Sequence, residues 1–344
     1  MKIWNTLETN RGYRAIDLCK FFMAIMVIAI HTNPIVGMEN TFFINLVIAI
    51  EGFAVPFFFV ASGFFLQLKL QESGVEGERY FRKYLLKLIR MYCCWTLISI
   101  PLTIYGYCIS GENILHCVFS YIKYFLFVGK LYNSYHLWYL LALIYAVIMI
   151  WGLLKRKMSL NQIALVGFLF FCVNELIIWM GTLDNLPHVL SRGASLYQAI
   201  FNKGGIFTGM VYVCIGMVLA EKKVSMKNIY CIVGYILVFC IQKVNNNIHL
   251  SNLLSIVEAI LFFMFILNIK CKEYKEYVKL RKASTIIYLS HLLFFSFYTI
   301  ILINNPNKLG LDSFLVTVTL SVLNAVILMK LSKIKGFEWI KMII

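Results

Sequence analysis

Long runs of apolar residues, separated by short polar segments, repeat along the whole chain. Each run is about as long as a helix that crosses a bilayer, and none shows the apolar–polar alternation of a barrel strand. Lipid satisfies no backbone hydrogen bond, so the pattern predicts helices as the spanning elements. We predict an all-α polytopic membrane bundle, with residues 1–344 forming a single transmembrane domain. Its ten crossings are residues 18–34, 43–68, 88–109, 135–154, 160–181, 204–220, 228–243, 252–269, 286–303 and 313–331.

The composition agrees with an integral membrane protein. Hydrophobic residues make up 61% of the chain and charged residues 14%, with a mean hydropathy of +0.79. The first crossing follows a polar stretch and precedes no small-residue cleavage site, so we do not interpret it as a signal peptide. The ten cysteines lie mostly in apolar runs and lack metal-ligand spacing, which indicates small hydrophobic residues. Only Cys108 and Cys117 could pair at an outer surface.

The net charge of +16 follows membrane topology and does not indicate a nucleic-acid partner. With the N-terminus inside, 26 of the 32 lysines and arginines fall on one face of the membrane. This asymmetry predicts that both termini lie in the cytoplasm. Two outer loops, residues 110–134 and 182–203, are the expected lids or substrate contacts, and the first contains an amphipathic piece at Ile114–Val128.

The first crossing carries two ionisable side chains, Lys20 and His31, separated by ten apolar residues. They are roughly 16 Å apart along a helix axis. An ionisable group at such depth usually faces the bundle interior and marks function. The alternative is a snorkelling lysine with the histidine at the headgroups.

The second crossing has an irregular polar interruption. Pro56 should loosen the helix, and the pair Ser62-Gly63 permits close approach of a neighbouring helix or a ligand. A kinked helix that serves only packing is the alternative interpretation.

Two later crossings each carry a histidine. The fourth opens with His136-Leu-Trp138-Tyr139, where an interfacial aromatic belt explains the aromatic residues but not His136. Tyr288 and His291 lie just inside the ninth crossing and share a helix face.

In their order and spacing, these four groups resemble the acyltransferase-3 family of bacterial integral-membrane acyltransferases. That family has a basic residue, ten apolar residues and a histidine in its first helix. A Gly…Phe-Phe…Ser-Gly helix, a basic juxtamembrane run, a His-Leu-Trp-Tyr/Phe helix and a late Tyr-x-x-His follow. The resemblance covers the whole chain and implies an acyl-CoA donor and a bacterial cytoplasmic membrane. It implies that His31 is the essential histidine, while Lys20 replaces the usual arginine and lacks its bidentate fork.

Acyl transfer from a thioester to a hydroxyl needs a base for the acceptor's proton and hydrogen-bond donors for the developing oxyanion. Histidine suits the first role near neutral pH, and Tyr288, Ser62 or a lysine suits the second. The predicted catalytic residues are His31, Lys20, His136, Tyr288 and His291. The predicted substrate contacts are Ser62, Trp138, Glu51 and Lys203.

A basic run before the third crossing is the predicted donor site. Lys83, Lys87 and Arg90 share one helix face, where they could bind the phosphates of acyl-CoA, although anionic lipid explains the same charges. The family often has proline where Arg90 stands.

Of the acids inside crossings, Glu51 and Glu258 are placed to orient a histidine, and Glu175 is less well placed. For each of these carboxylates, however, the preferred interpretation is an interhelical hydrogen bond to backbone or water.

The predicted topology places His31 and His136 toward the outer face, and Lys20, Ser62 and His291 toward the inner face. We therefore predict a polar passage along the bundle axis, open to a cytoplasmic donor and an outer acceptor. In the alternative, these groups pair with one another in a packed interior.

The leading interpretation of function is transfer of an acetyl or other short acyl group to an exported glycan or envelope polymer. However, Ala54-Val55-Pro56 and residues 202–209 also resemble the membrane half of the vancomycin-resistance serine racemases. There a similar bundle, joined to a cytoplasmic racemase, is thought to bring in L-serine. L-serine uptake is therefore the alternative, and a racemase domain after residue 344 would favour it. Polar groups inside helices argue against a purely structural scaffold.

Overall fold

The apolar runs form helices in the computed structural model, which describes residues 13–183, 186–202, 205–224, 226–245, 247–272 and 276–343. These residues contain thirteen α-helices and no β-strand. Short 3₁₀ or π-helical turns adjoin several of them, including Tyr124–Val128, Tyr135–Leu137 and Phe297–Leu302. The α-helices, α1 to α13, are Arg14–Thr32, Thr41–Ser73, Gly77–Ile98, Ile100–Ser110, Ile114–Lys123, Trp138–Lys155, Leu160–Met180, His188–Phe201, Gly205–Lys222, Asn228–Val244, Ile248–Leu267, Glu276–Ser296 and Leu311–Leu331.

The predicted count of ten crossings is not confirmed. Seven helical segments within the described residues are long and apolar enough to cross a membrane. The count becomes eight if α3 and α4, which meet at a bend of 51°, form one span. The seventh predicted crossing is α10, an apolar helix of 17 residues. The placement of both termini in the cytoplasm remains a prediction.

Local signals in the sequence set several helix starts. The Asn40 side chain accepts a hydrogen bond from the backbone N–H of Phe43 at 3.0 Å and caps α2. Ser159 and Gln162 form a capping box at the start of α7. Pro56, in contrast, does not interrupt α2, which is helical through all 33 of its residues.

Glycine allows α2 and α9 to pack backbone against backbone. A Cβ atom on Gly63 would overlap the carbonyl oxygen of Val213, and one on Gly216 would overlap that of Val60. Gly63 therefore serves helix packing, whereas the Ser62 side chain remains available for contacts in the interior.

Helices α1 and α12 lie side by side and run in the same direction. Arg14 near the start of α1 donates to the carbonyl oxygen of Cys271 at 3.4 Å, and Asp17 is 3.9 Å from Arg281. At the far end His31 stacks on His291. Helix α13 packs on this pair, where Ala325 joins a buried cluster with residues of α1 and α12. This packing brings the two histidine-bearing helices together.

Candidate functional site

A cavity of about 950 Å³ opens between the helices. Its walls come from α1, α2, α3, α6, α12, α13 and the segment after α13. Four of the residues predicted from the sequence line it: Lys20, Ser62, Lys87 and Tyr288. The structure therefore brings together one member each of four helices that are distant in sequence.

Positive charge dominates the lining of this cavity. Among the residues that the structure describes, the lining contains nine cationic side chains and one carboxylate, that of Glu72. The nine cations are Lys20, Lys69, Lys87, Lys279, Arg281, Lys282, Lys330, Lys333 and Lys341. Sequence reasoning identified only Lys20 and Lys87 as site residues, because the others lie in basic clusters that topology alone explains. Their convergence on one cavity is a tertiary feature, and it suits a multiply charged anion.

Lys20 lies in the wall at a half-buried position. Its Nζ is 4.5 Å from the centroid of the Phe65 ring, a cation–π contact that offsets part of the loss of water. The lysine therefore faces the protein interior rather than lipid, as predicted.

Ser62 lies on the same wall, with hydroxyl groups around it. Its Oγ is 3.1 Å from the hydroxyl oxygen of Tyr139, and Tyr84 lines the cavity nearby. One of these hydroxyls donates to the other, so the pair keeps one O–H donor for the cavity surface. The Tyr288 hydroxyl instead donates to the backbone carbonyl of His136, so it is already engaged.

Three histidines cluster behind this wall. The ring centroid of His291 is 5.3 Å from that of His31, in a stacked arrangement, and 4.9 Å from that of His136. His136 and His291 are fully buried, with exposed fractions of 2% and 0%, whereas His31 is only half-buried. The cluster joins the last turn of α1, the turn before α6 and the middle of α12.

Backbone carbonyls fix the proton positions of the two buried histidines. His291 Nδ1 lies 2.7 Å from the carbonyl oxygen of Tyr288, and His136 Nε2 lies 3.1 Å from that of Leu289. A carbonyl only accepts, so these two nitrogens carry the protons. The opposite nitrogens, His291 Nε2 and His136 Nδ1, are buried and have no hydrogen-bond partner in the structure. In the neutral rings each of these nitrogens therefore carries a lone pair that accepts no hydrogen bond in the structure.

A single layer of side chains separates the cavity from the histidine cluster. Tyr288 and Leu289 line the cavity, and none of the three histidines does. The Tyr288 ring centroid is 5.6 Å from that of His136 and 6.0 Å from that of His291. The predicted shared pocket with His31 and His136 in its lining is therefore not observed. The cluster is nevertheless continuous, because His31 contacts His291 directly.

The predicted placement of His291 beside Lys20 at the inner side is wrong. Helix α12 begins at Glu276, ten residues before the predicted start of the ninth crossing. His291 therefore lies about 22 Å along α12 and reaches the level of His31.

Several predicted site residues lie away from both features. Trp138 packs beside Phe59, with ring centroids 6.1 Å apart, and it does not line the cavity. Glu51 is in α2, roughly 16 Å before Ser62 along the helix, and is likewise absent from the lining. Lys83 and Arg90 are exposed and outside the lining, so only Lys87 of the predicted donor group faces the cavity. Lys203 lies outside the described residues.

Two of the acids inside crossings form hydrogen bonds between helices. Glu175, judged the least well placed, accepts hydrogen bonds from His249 at 2.8 Å and Asn252 at 2.9 Å. Glu258 accepts from Gln242 at 3.2 Å. Both therefore form interhelical hydrogen bonds, as preferred from the sequence, but to side chains rather than to backbone or water.

The structure also bears on the cysteines and on possible metal ligands. Cys108 and Cys117 are both free thiols, so the possible disulfide is not formed. Among the described residues, no three His, Cys, Asp or Glu side chains gather as a group that could hold a metal ion.

Comparison with known proteins adds the family. An amino-acid racemase of Enterococcus faecalis is 29% identical over 345 residues, covering 92% of this chain and 46% of the relative. A serine/alanine racemase of Enterococcus gallinarum is 26% identical, covering 82% of this chain and 40% of the relative. The chain thus spans less than half the length of either relative, and no solved structure matches it. The family model described as an acyltransferase domain matches residues 13–330. The chain therefore belongs to the acyltransferase-3 family.

Proposed function

We propose that this protein is a membrane O-acyltransferase that moves an acetyl or other short acyl group from acyl-CoA to an exported glycan or envelope polymer. The observation that carries the proposal is the cationic cavity that ends one side-chain layer from the three-histidine cluster. Membership of the acyltransferase-3 family supports the reaction class. The membrane is the cytoplasmic membrane of a bacterium, and the cavity opens toward the cytoplasm.

The donor end of the reaction is the cavity. Coenzyme A carries several phosphate groups, and the basic side chains of the lining are suited to bind them. Of the three α3 residues predicted to bind phosphate, only Lys87 lines the cavity. Arg281 and Lys282 of α12 line it as well, so we assign them to the phosphate site. Ser62 and Tyr139 then lie where the remaining O–H donor of the pair can stabilise the oxyanion that develops on the thioester carbonyl.

The acceptor end is the histidine cluster. The hydroxyl oxygen of the acceptor attacks the thioester carbonyl carbon, the carbon–sulfur bond breaks, and the ester and the free thiol are the products. A histidine takes the hydroxyl proton during attack, and the departing thiolate gains a proton. His31, as the partly exposed member, receives the acceptor, and the unpartnered nitrogens of His291 and His136 are available to accept hydrogen bonds from it. The Tyr288 side chain must move for donor and acceptor to meet.

The test is direct transfer across the membrane. Inside-out vesicles that contain the protein receive labelled acetyl-CoA, and the label is then sought in surface glycan. His31→Ala serves as the negative control, after detergent chromatography shows that it is folded. Label that reaches the glycan with the wild type but not with the control supports the proposal, and equal labelling in both contradicts it.

A second candidate function is L-serine uptake, favoured by the names of the two racemase relatives. The polar groups Glu175, His249 and Asn252 inside the bundle are compatible with a path for a zwitterion. Reconstituted vesicles distinguish the two functions: saturable accumulation of labelled L-serine, without any acyl transfer, would favour the transporter.

A further inference from the structure

The residues that follow α13 fold back onto the bundle. Ile340 and Ile343 are buried, with exposed fractions of 2% and 8%. The buried indole N–H of Trp95, in α3, donates a hydrogen bond to the backbone carbonyl of Ile343 at 2.9 Å. A non-helical turn at Gly336, with φ +94°, lies between the end of α13 and this anchor. Residues 332–343, here called the strap, are thus fastened to a helix more than two hundred residues away in sequence.

The strap forms part of the cavity wall. Lys333 and Lys341 of the strap line the cavity, together with Lys330 at the end of α13. They share this lining with Lys87 and Arg281 from other helices. Cations gathered around one cavity repel one another, so this arrangement favours an anion between them. Buried Ile340 and the Trp95 hydrogen bond hold the strap in place against that repulsion.

The outer surface of the strap suits a membrane interface. Phe337 and Trp339 are 43% and 52% exposed, on the same segment that presents lysines to the cavity. Exposed aromatic side chains of this kind settle at the headgroup level of a bilayer. The strap therefore lies where both a soluble nucleotide-type ligand and a lipid headgroup could reach its lysines.

We propose that residues 332–343 form a strap that closes the cavity over a multiply phosphorylated ligand. Lys333 and Lys341 bind its phosphates, and Trp95 is the positioning residue that holds the strap closed. The ligand's shared chemistry is a cluster of phosphate charges, presented by the coenzyme A part of the donor or by an anionic phospholipid. The inference that coenzyme A is the ligand rests on the proposed function.

The test uses the full chain in nanodiscs and a matched pair of variants. Lys341→Gln removes a cavity lysine, whereas Lys335→Gln removes an exposed lysine of the same strap that does not line the cavity. In nanodiscs of phosphatidylcholine, coenzyme A binding is measured by calorimetry. We expect Lys341→Gln to weaken binding about five- to tenfold, because a charge-assisted contact is lost, and Lys335→Gln to leave it within twofold. Equal affinities for the two variants would overturn the strap as a binding element for this ligand.

A second arm addresses the lipid source. Retention of cardiolipin, an anionic phospholipid with two phosphates, is measured by native mass spectrometry for the same two variants. Loss of lipid with Lys341→Gln alone, and unchanged coenzyme A affinity, would support a phosphate-binding strap whose ligand is the headgroup. If Lys341→Gln and Lys335→Gln behave alike in both arms, the proposal is wrong.

A third variant tests the anchor. Trp95→Phe keeps the aromatic ring but removes the indole N–H that reaches Ile343. We expect faster tryptic cleavage within the strap, and the protection that bound ligand gives should be weaker than in the wild type. Unchanged cleavage would show that this hydrogen bond does not hold the strap. These results can be told apart from a failure of the proposed function. If Lys341→Gln alone weakens ligand binding but the wild type transfers no acyl group, only the proposed function is rejected. If the wild type transfers acyl groups but Lys341→Gln and Lys335→Gln bind ligand equally well, only the strap is rejected.

Discussion

At the scale of single residues, backbone carbonyls of α12 fix the orientation of two of the three histidines. Those of Tyr288 and Leu289 hold protons on His291 Nδ1 and His136 Nε2, which leaves one basic nitrogen on each ring pointing into buried space. A hydrogen bond to a backbone carbonyl sets which imidazole nitrogen carries the proton. In the proposed reaction His31 faces the acceptor, and the His291 ring stacks on it.

His31→Ala should abolish acyl transfer while the protein remains inserted and folded. Loss of a general base typically lowers the rate by about 10²- to 10⁴-fold. The measurement is initial rate of label transfer at matched protein content, with thermal unfolding in detergent as the check on folding. Full activity in a well-folded variant would remove His31 from the reaction.

His291→Gln should also lower transfer, because it removes the ring that stacks on His31 and the unpartnered Nε2 behind the proposed base. The expected loss is about 10²-fold. Nitrogen NMR of labelled histidine in the wild type should report the Nδ1–H tautomer for His291, a readout that a purely packing role would not require. An Nε2–H tautomer would contradict the hydrogen bond to Tyr288.

At the scale of elements, the cationic face of α3 lies partly in the cavity and partly outside it. Lys87 lines the cavity, whereas Lys83 is exposed and outside it, one turn earlier on the same helix. The predicted periodicity is correct, but the tilt and packing of α3 decide which positions reach the interior. A group that shares a helix face therefore need not share a ligand.

Lys87→Gln should weaken coenzyme A binding, and Lys83→Gln is its matched control. We expect about a three- to tenfold increase in Kd for the first and little change for the second, because only Lys87 faces the cavity. Titration calorimetry at two salt concentrations checks this, since the lost contact should also reduce the salt dependence. Equal effects of the two substitutions would instead indicate that coenzyme A responds only to the overall positive charge of this surface.

The backbones of α2 and α9 approach each other closely, which limits the side chains that fit between them. Gly216→Val would place side-chain atoms against the backbone of Val60 and force the helices apart. Overpacking of this kind costs about 1–3 kcal/mol, so the variant should unfold at lower temperature. Gly152→Val is the comparison, since a Cβ at Gly152 meets no neighbouring atom within 4 Å. Similar melting curves for both variants would contradict the close approach.

At the scale of the whole molecule, the arrangement has a direction across the membrane. The cationic cavity lies near the ends of α1 and α12 that carry Arg14 and Arg281, and the histidine cluster lies farther along both helices. The proposed orientation places the cavity in the cytoplasm, in keeping with the bias of lysine and arginine to one face. Donor and acceptor would then approach from opposite sides.

Cysteine labelling can test this orientation. In a cysteine-free background, Ser191→Cys should react with a membrane-impermeant maleimide in intact cells, because its loop is predicted to lie outside. Lys157→Cys should react only after permeabilisation, because Lys155-Arg156-Lys157 is predicted to lie inside. The reverse pattern would invert the topology and the proposed direction of transfer.

The sequence by itself determined the all-helical membrane character of the chain and four polar groups, because hydropathy and helical spacing are local properties. It also identified Lys20, Ser62, Lys87 and Tyr288, which line one cavity. Only the tertiary structure decided that His291 meets His31, since that contact depends on where α12 begins and on its packing against α1. The same holds for the lysines of the strap and for Gln242 and His249 as partners of buried acids. These contacts join residues far apart in the chain, where side-chain packing and not local periodicity selects the neighbour.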